Sequence, residues 1–111
     1  MAVRSFLVLG LAATTAVAKL CGPDLSSPCP AIDQTCREDI LITCNLLFSG
    51  LPLYEDSPLP LLACVDACNA DPQCTAFNWY PGGNCYHAHP SDPYTPLGGA
   101  MGWIGGYSGT C

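Results

Sequence analysis

The chain has 111 residues, nine of them cysteines, and carries only three Lys or Arg residues against nine Asp or Glu residues. So many cysteines in one short domain are typical of a disulfide-stabilised protein made in an oxidising compartment, because a small core alone buries too little surface. The formal net charge of −6 makes nucleic acid, anionic membrane surfaces and acidic polysaccharides poor partners, since like charges repel.

Residues 1–18 have the pattern of a secretory signal peptide. Arg4 precedes an apolar run over residues 6–13, and the small-residue sequence Ala-Val-Ala at residues 16–18 is a cleavage pattern. The apolar run is shorter than the roughly 20 residues that a membrane-spanning helix needs. We therefore expect a secreted, extracellular domain of residues 19–111 without a membrane span.

The first part of this domain, residues 19–38, is interpreted as an N-terminal arm, and residues 39–111 as the core. Turn-forming Pro, Gly and Ser residues make the arm irregular. The arm contains three cysteines, Cys21, Cys29 and Cys36. The core is expected to open with a strand over residues 39–44, where β-branched and apolar residues predominate.

A helix is expected over residues 60–70. Its apolar residues recur at helical spacing and form one stripe, namely Leu61, Leu62, Val65 and Cys68. Asp56 or Ser57 is a candidate N-cap, and Pro72 ends the helix. Cys64 and Cys68 are four residues apart, so both lie on one face of the helix.

A β-hairpin is expected to follow the helix. Residues 75–80 read as a strand, the Pro-Gly-Gly-Asn sequence at residues 81–84 as a turn, and residues 85–87 as the returning strand. Cys74 begins the first strand and Cys85 begins the second. The simplest wiring is nested, with Cys64 joined to Cys85 and Cys68 joined to Cys74.

The remainder of the core is expected to close the sheet. Residues 89–96 form a proline-broken loop, and a last strand lies near residues 101–107. The glycines of that strand, Gly102, Gly105 and Gly106, allow neighbouring backbone to approach closely. The predicted fold is α+β, with one helix packed on an antiparallel sheet of four or five strands.

The stretch from Cys64 to Cys85 resembles the core of the PAN/apple family. That family has two helix cysteines four apart, a third cysteine six positions later, and an aromatic-rich strand before the fourth. Cys64, Cys68, Cys74 and Cys85 match this spacing, and Ala76-Phe77 matches the start of the strand. The resemblance covers about residues 44–111. It implies a small disulfide-rich PAN/apple-like module that binds proteins or carbohydrates and performs no catalysis.

The opening of the domain is also similar to that of apple-like domains in secreted fungal proteins. The matching residues are the Cys-Pro-Ala-Ile-Asp sequence at residues 29–33 and the Ile-Thr-Cys sequence at residues 42–44. Cys36 is an addition to this pattern, and Gln34 stands where glycine is usual. These two departures from the family pattern leave the disulfide pairing in this part of the chain open.

The family also implies a pairing for the outer cysteines. The first and last cysteines of an apple domain join its ends, and here these are Cys44 and Cys111. Cys29 competes for Cys44 in the fungal type of opening. If Cys44 pairs with Cys111, then Cys29 and Cys36 can close a compact loop, and Cys21 keeps a free thiol. Such a thiol is expected to cap with a small thiol or to link two chains into a disulfide-bonded homodimer.

Two histidines at the end of the hairpin raise the question of catalysis or metal binding. His87, His89, Ser91 and Asp92 include the residue types of a hydrolase triad, but proximity in sequence does not create one. On a strand, His87 and His89 would share a face and could chelate copper or zinc weakly, although two surface histidines is the preferred interpretation. The cysteine spacings also differ from those of zinc knuckles. No catalytic residue, metal or cofactor is therefore expected.

Aromatic residues cluster late in the chain and are the best candidates for ligand contact. Alternation along the first hairpin strand sends Phe77 and Trp79 toward the helix, and Asn78 and Tyr80 to the other face. Aromatic faces stack on sugar rings and anchor protein partners. The candidate ligand-binding aromatics are Tyr80, Tyr86, Tyr94 and Trp103.

The sequence as a whole predicts a secreted, non-catalytic recognition module. Its partner would be an extracellular protein or a neutral carbohydrate, because the chain lacks the basic patches that bind acidic polymers. The alternative is a small cysteine-rich effector or toxin that acts on a host.

Overall fold

The computed structural model describes residues 25–111, which form a small α+β domain. Its elements are β1 (Thr35–Arg37), β2 (Ile40–Cys44), β3 (Leu46–Ser49), α1 (Leu61–Ala70), β4 (Ala76–Tyr80), β5 (Asn84–Ala88), β6 (Thr95–Gly98) and β7 (Ile104–Tyr107). Five strands form an antiparallel sheet in the order β1-β2-β7-β4-β5, and β3 and β6 form a separate two-stranded sheet. The predicted class, with one helix and a five-stranded antiparallel sheet, is confirmed. Within the described residues, no helix is both long and apolar enough to cross a membrane.

The helix α1 begins one residue later than expected. Pro60 occupies the N-cap position without a side-chain cap, and its carbonyl oxygen accepts the first helical hydrogen bond, from the Cys64 amide at 3.1 Å. The expectation that Asp56 or Ser57 caps the helix is wrong, because the helix starts at Leu61, too far along the chain for either side chain. Leu62 is 39% exposed and so does not belong to the buried stripe. The residues of α1 that are buried are Leu61, Cys64, Val65 and Cys68.

One face of the five-stranded sheet packs against α1 and forms the main core. Phe77 and Trp79 are both fully buried there, as the alternation of β4 predicts. The Trp79 indole N–H donates to the Leu59 carbonyl oxygen at 2.7 Å, so its polar atom is also satisfied. The isoleucines of β2 and β7, namely Ile40, Ile42 and Ile104, complete the core.

The opposite face is covered by the small sheet of β3 and β6, and Asn78 joins the two layers. Its Oδ1 accepts the Phe48 amide at 2.6 Å, and its Nδ2 donates to the carbonyl oxygens of Leu46 at 2.9 Å and Ile104 at 2.8 Å. One buried amide thereby links β3, β4 and β7. The sequence did not reveal β3 or β6, and part of β6 lies in the predicted proline-broken loop.

The last strand, β7, lies between β2 and β4 and needs glycine to fit there. A Cβ on Gly106 would lie 2.5 Å from the Leu41 carbonyl oxygen and 3.0 Å from the Phe77 ring. A Cβ on Gly105 would lie 3.0 Å from Asn78 Nδ2. The close approach predicted for these two glycines is confirmed. The strand itself is shorter than expected and starts at Ile104.

The first strand, β1, extends the sheet into the segment assigned to the N-terminal arm. Arg37 makes a two-pronged ion pair with Asp66 of α1, with nitrogen–oxygen distances of 2.9 and 3.0 Å. The hydrogen bond from Arg37 holds the pKa of the Asp66 carboxyl below its usual range. Both side chains are over 40% exposed, so the pair fixes the position of β1 more than it adds stability.

Four disulfides join the eight cysteines of the described residues. Cys64 pairs with Cys85 and Cys68 pairs with Cys74, which confirms the nested wiring of the helix and hairpin. The other two pairs are Cys29–Cys44 and Cys36–Cys111. The predicted pairs Cys44–Cys111 and Cys29–Cys36 are therefore wrong.

The antiparallel arrangement of β2 and β7 explains the link to Cys111. Cys44 lies opposite Ile104, at the start of β7, whereas the end of the chain lies beside the start of β2. There the amide of Cys111 donates to the Asp39 carbonyl oxygen at 3.3 Å. Cys111 is thus held a strand's length from Cys44 and reaches Cys36 on β1.

The turn before β1 explains the link between Cys29 and Cys44. The Asp33 side chain accepts the Cys44 amide at 2.8 Å, and the Gln34 amide donates to the Ile42 carbonyl oxygen at 2.7 Å. These bonds fold the turn onto the end of β2, next to Cys44. The alternative partner considered for Cys44, namely Cys29, is therefore the one observed.

The predicted free thiol at Cys21 lies outside the described residues. The eight cysteines of the described residues are all paired with one another, so none of them is left to pair with Cys21. We expect non-reducing mass spectrometry of the protein to find Cys21 as a mixed disulfide or as a Cys21–Cys21 dimer. A covalent dimer that persists in a Cys21→Ser variant would contradict this expectation.

Candidate functional site

A cleft of about 260 Å³ opens on the sheet face opposite α1. One side is the strand β3 and the loop after it, and the other side is formed by side chains from β5 and from the turn before β7. The lining residues are Leu47, Phe48, Ser49, Gly50, Leu51, Asn78, Tyr86 and Trp103. None of them is charged.

Two aromatic side chains, Tyr86 and Trp103, line one side of this cleft, and Tyr80 packs against Trp103 next to it. The Trp103 ring lies between those of Tyr80 and Tyr86, with centroid distances of 4.8 Å and 5.8 Å. Tyr80 is 40% exposed, and Trp103 and Tyr86 are half-buried. The structure therefore brings together three of the four predicted ligand-binding aromatics.

Local sequence explains why these three rings meet. Tyr80 and Tyr86 lie on the same face of the β4–β5 hairpin, because Asn78 pairs with Tyr86 and side chains alternate along each strand. Gly102 has a φ of +89°, a conformation that favours glycine, and turns the chain so that Trp103 follows beside Tyr80. The Trp103 carbonyl oxygen accepts the amides of Asn45 at 2.7 Å and Leu46 at 3.2 Å. The backbone under the central ring is thus anchored to the start of β3.

Tyr94, the fourth predicted aromatic, lies elsewhere. Its ring packs edge-on against Phe48 at 5.3 Å and lies 6.5 Å from Tyr107. Phe48 belongs to the second hydrophobic core, and the partly buried Tyr94 packs against it. Burial, together with the neighbouring Tyr94, raises the pKa of Tyr107. Tyr94 therefore supports the cleft from below and does not line it.

Some polar groups of the cleft are already hydrogen-bonded within the protein, and others have no hydrogen-bond partner among the described residues. Both N–H groups of the Asn78 side chain donate to backbone carbonyl oxygens and its Oδ1 already accepts a backbone amide, so Asn78 has no donor to offer a ligand. Within residues 25–111, no hydrogen bond engages the hydroxyl groups of Ser49 and Tyr86 or the indole N–H of Trp103. The cleft thus offers aromatic faces and neutral donors, without a fixed charge.

The two histidines lie in different surroundings, and the expectation that both are surface residues is wrong. His87 is only 2% exposed, because β5 turns it toward α1, where its Nε2 lies 3.0 Å from the Cys64 carbonyl oxygen. His89 is exposed and lies 2.9 Å from Asp71, a contact that lowers the pKa of the Asp71 carboxyl. The weak metal-binding pair of His87 and His89 is therefore not formed.

A second group of potential metal ligands is occupied by a covalent bond. The sulfur atoms of Cys64 and Cys85 and the His87 ring lie within 4.8 Å of one another, and all three residues are buried. The two sulfurs are joined as a disulfide, so neither is a thiolate that could bind a metal. These three residues are consequently not metal ligands in this fold.

Comparison of the chain with protein-family models, with curated proteins and with solved structures finds no match. The resemblance to the PAN/apple family therefore rests on the cysteine and aromatic pattern of the sequence itself.

Proposed function

We propose that this chain is a secreted, non-catalytic recognition module that binds a neutral carbohydrate in the cleft beside Trp103. The observation that carries the proposal is the pair of partly exposed rings, Tyr86 and Trp103, that lines an uncharged cleft, with the exposed Tyr80 ring packed beside Trp103. The four disulfides support an extracellular location, because such bonds persist in oxidising compartments.

The chemistry of the cleft suits a sugar ring. The C–H faces of a pyranose are apolar and stack on aromatic rings, while its hydroxyl groups need neutral hydrogen-bond partners. Trp103 and Tyr86, which line the cleft, supply both kinds of contact. A charged ligand would find no counter-charge among the lining residues and would lose hydration on entry.

We further propose that the module is of the PAN/apple type. Support comes from the cysteine spacing, from a helix and hairpin joined by Cys64–Cys85 and Cys68–Cys74, and from an aromatic strand packed on the helix. Members of that family bind proteins or carbohydrates, which is the class of function proposed here.

The test is binding of the secreted protein to a panel of neutral oligosaccharides containing glucose, mannose and N-acetylglucosamine. For a sugar that binds, Trp103→Ala is expected to weaken affinity at least about tenfold, or about 1.4 kcal/mol, since a central aromatic anchor is lost. Trp103→Phe should retain part of the affinity, because a smaller ring remains.

Met101→Ala is the matched control. Met101 is close in sequence to Trp103 and 85% exposed, but does not line the cleft. This variant should bind as the unaltered protein does. Equal binding by Trp103→Ala, with thermal unfolding showing that it is folded, would rule out the cleft, and the lack of any binder in the panel would rule out the ligand class.

A further inference from the structure

His87 lies beneath a short segment that is held to the outer edge of β5. This segment, called the strap here, comprises residues 52–54. The Tyr54 amide donates to the Cys85 carbonyl oxygen at 2.8 Å, and the Pro52 carbonyl oxygen accepts the His87 amide at 3.2 Å. The Tyr54 ring covers the His87 ring, with centroids 4.1 Å apart. Two hydrogen bonds and one ring contact thus hold the strap over a buried imidazole.

The hydrogen bonds of the His87 ring fit only its neutral form. Nε2 lies 3.0 Å from the Cys64 carbonyl oxygen, so the ring proton belongs on Nε2, which donates. Nδ1 is buried and has no hydrogen-bond partner among the described residues. A second proton would have to go on Nδ1, where it would form a charged N–H group without an acceptor. Burying such a group is costly unless it is paired.

The groups around His87 do not compensate for that charge. Among the described residues, α1 presents the Cys64 carbonyl oxygen, β4 places Phe77 opposite His87, and the strap contributes the Tyr54 phenol. Asp71, at the end of α1, favours protonation, and His89 opposes it when charged. Burial outweighs the favourable groups, and the pKa of His87 is lowered from its usual 6.5.

We propose that His87 makes the strap a pH-sensitive latch, closed near neutral pH and released in acid. The ring accepts its second proton when the strap lifts and water reaches Nδ1. A histidine whose pKa is lower in the closed state stabilises that state above its ordinary pKa, and this stabilisation is lost as the pH falls toward the closed-state value. The fraction of open strap should therefore rise below about pH 6.5.

Opening of the strap would also disturb the neighbouring cleft. The consequence for ligand binding rests on the proposed function. Leu53 pairs with Tyr86 in an isolated β-bridge, and Leu51, just before the strap, lines the cleft with Tyr86. Acid would then loosen one wall of the binding site. The latch itself can be tested without any ligand.

The test combines a ring titration with amide hydrogen exchange on ¹⁵N-labelled protein between pH 7.5 and pH 5.5. After correction for intrinsic exchange, opening at the Tyr54 and His87 amides should rise roughly tenfold over this range, as expected for one proton taken up on opening. The Ser108 amide, which donates to the Thr75 carbonyl oxygen at 3.0 Å away from the strap, should not change in parallel.

Two variants separate His87 from its neighbour. His87→Gln keeps a side-chain donor but cannot titrate, so its strap amides should show no acid-induced opening. His89→Gln removes the exposed histidine and should behave as the unaltered protein does. Acid opening that survives in His87→Gln would overturn the latch.

Measurements on the unaltered protein test the latch even if His87→Gln does not fold. A ring pKa for His87 at or above 6.5 would contradict the latch, as would strap amides that ignore pH. Normal acid-induced strap opening in a protein that binds no sugar of the panel, or whose Trp103→Ala variant binds as well as the unaltered protein, would leave the latch intact, so failure of the latch and failure of the proposed function are distinguishable.

Discussion

Replacing both Cys64 and Cys85 by alanine is expected to lower the free energy of unfolding by about 2–5 kcal/mol and to leave much of the chain unfolded at 37 °C. This disulfide ties the middle of α1 to β5 across 21 residues, and both cysteines are fully buried. Its loss would release the helix from the hairpin and leave space in the main core. Urea unfolding followed by circular dichroism measures the effect.

The double variant Cys68→Ala with Cys74→Ala is the matched control. This disulfide is also buried and also holds α1, but its cysteines are only six residues apart. In the chain-entropy model, a shorter loop restricts the unfolded chain less, and the difference here is about 1 kcal/mol. A loss equal to or greater than that of the longer pair would contradict this explanation.

Replacing Asn78 by alanine is expected to lower the free energy of unfolding by about 3 kcal/mol or more. The change leaves the Phe48 amide and the carbonyl oxygens of Leu46 and Ile104 without their side-chain partner. Each buried polar group left unsatisfied costs about 1–3 kcal/mol. Because β3 is held to the large sheet partly through this side chain, the cleft should be lost together with stability.

Asn69→Ala is the control for this prediction. Asn69 makes one hydrogen bond, to the Arg37 carbonyl oxygen at 2.9 Å, and its Oδ1 is buried without a partner among the described residues. The same substitution should therefore cost much less there. Comparable losses at the two positions, measured by denaturant unfolding, would show that Asn78 does not join the sheets as described.

The parts of the fold that are close in sequence could be predicted from it. The helix, the hairpin and the two disulfides between them all lie within residues 61–88, where spacing alone decides which residues meet. The pairs of Cys36 and Cys44 depend on the order of strands in the sheet, which no local pattern encodes. Pairing the outer cysteines correctly would have required knowing that the chain ends beside the start of β2.

The candidate site was predictable in its residue types but not in its geometry. Tyr80 and Tyr86 share a face of the hairpin by simple alternation, whereas Trp103 joins them only through the turn at Gly102. Tyr94 is equally aromatic, yet it packs against Phe48 of the unpredicted small sheet and does not line the cleft. The same sheet explains why Asn78 is buried, since a polar residue at an alternating position would otherwise face water.

The surroundings of His87 could also be predicted only in part from the sequence. Alternation places Cys85 and His87 on one face of β5, which is the face that α1 covers, so the burial of His87 follows from facts that the sequence contains. The sequence of the strap, which begins at Pro52 and covers the His87 ring, contains no comparable pattern. Its extended conformation depends on hydrogen bonds to β5.

The most direct test of the binding cleft follows the two indole N–H signals of ¹⁵N-labelled protein as the best-binding oligosaccharide of the panel is added. Trp79 is fully buried and bonded to Leu59, so its signal is an internal control, whereas Trp103 lines the cleft. The Trp103 signal should shift in a saturable way while that of Trp79 stays in place. Saturable binding that leaves the Trp103 signal unmoved would contradict the assignment of the cleft as the binding site.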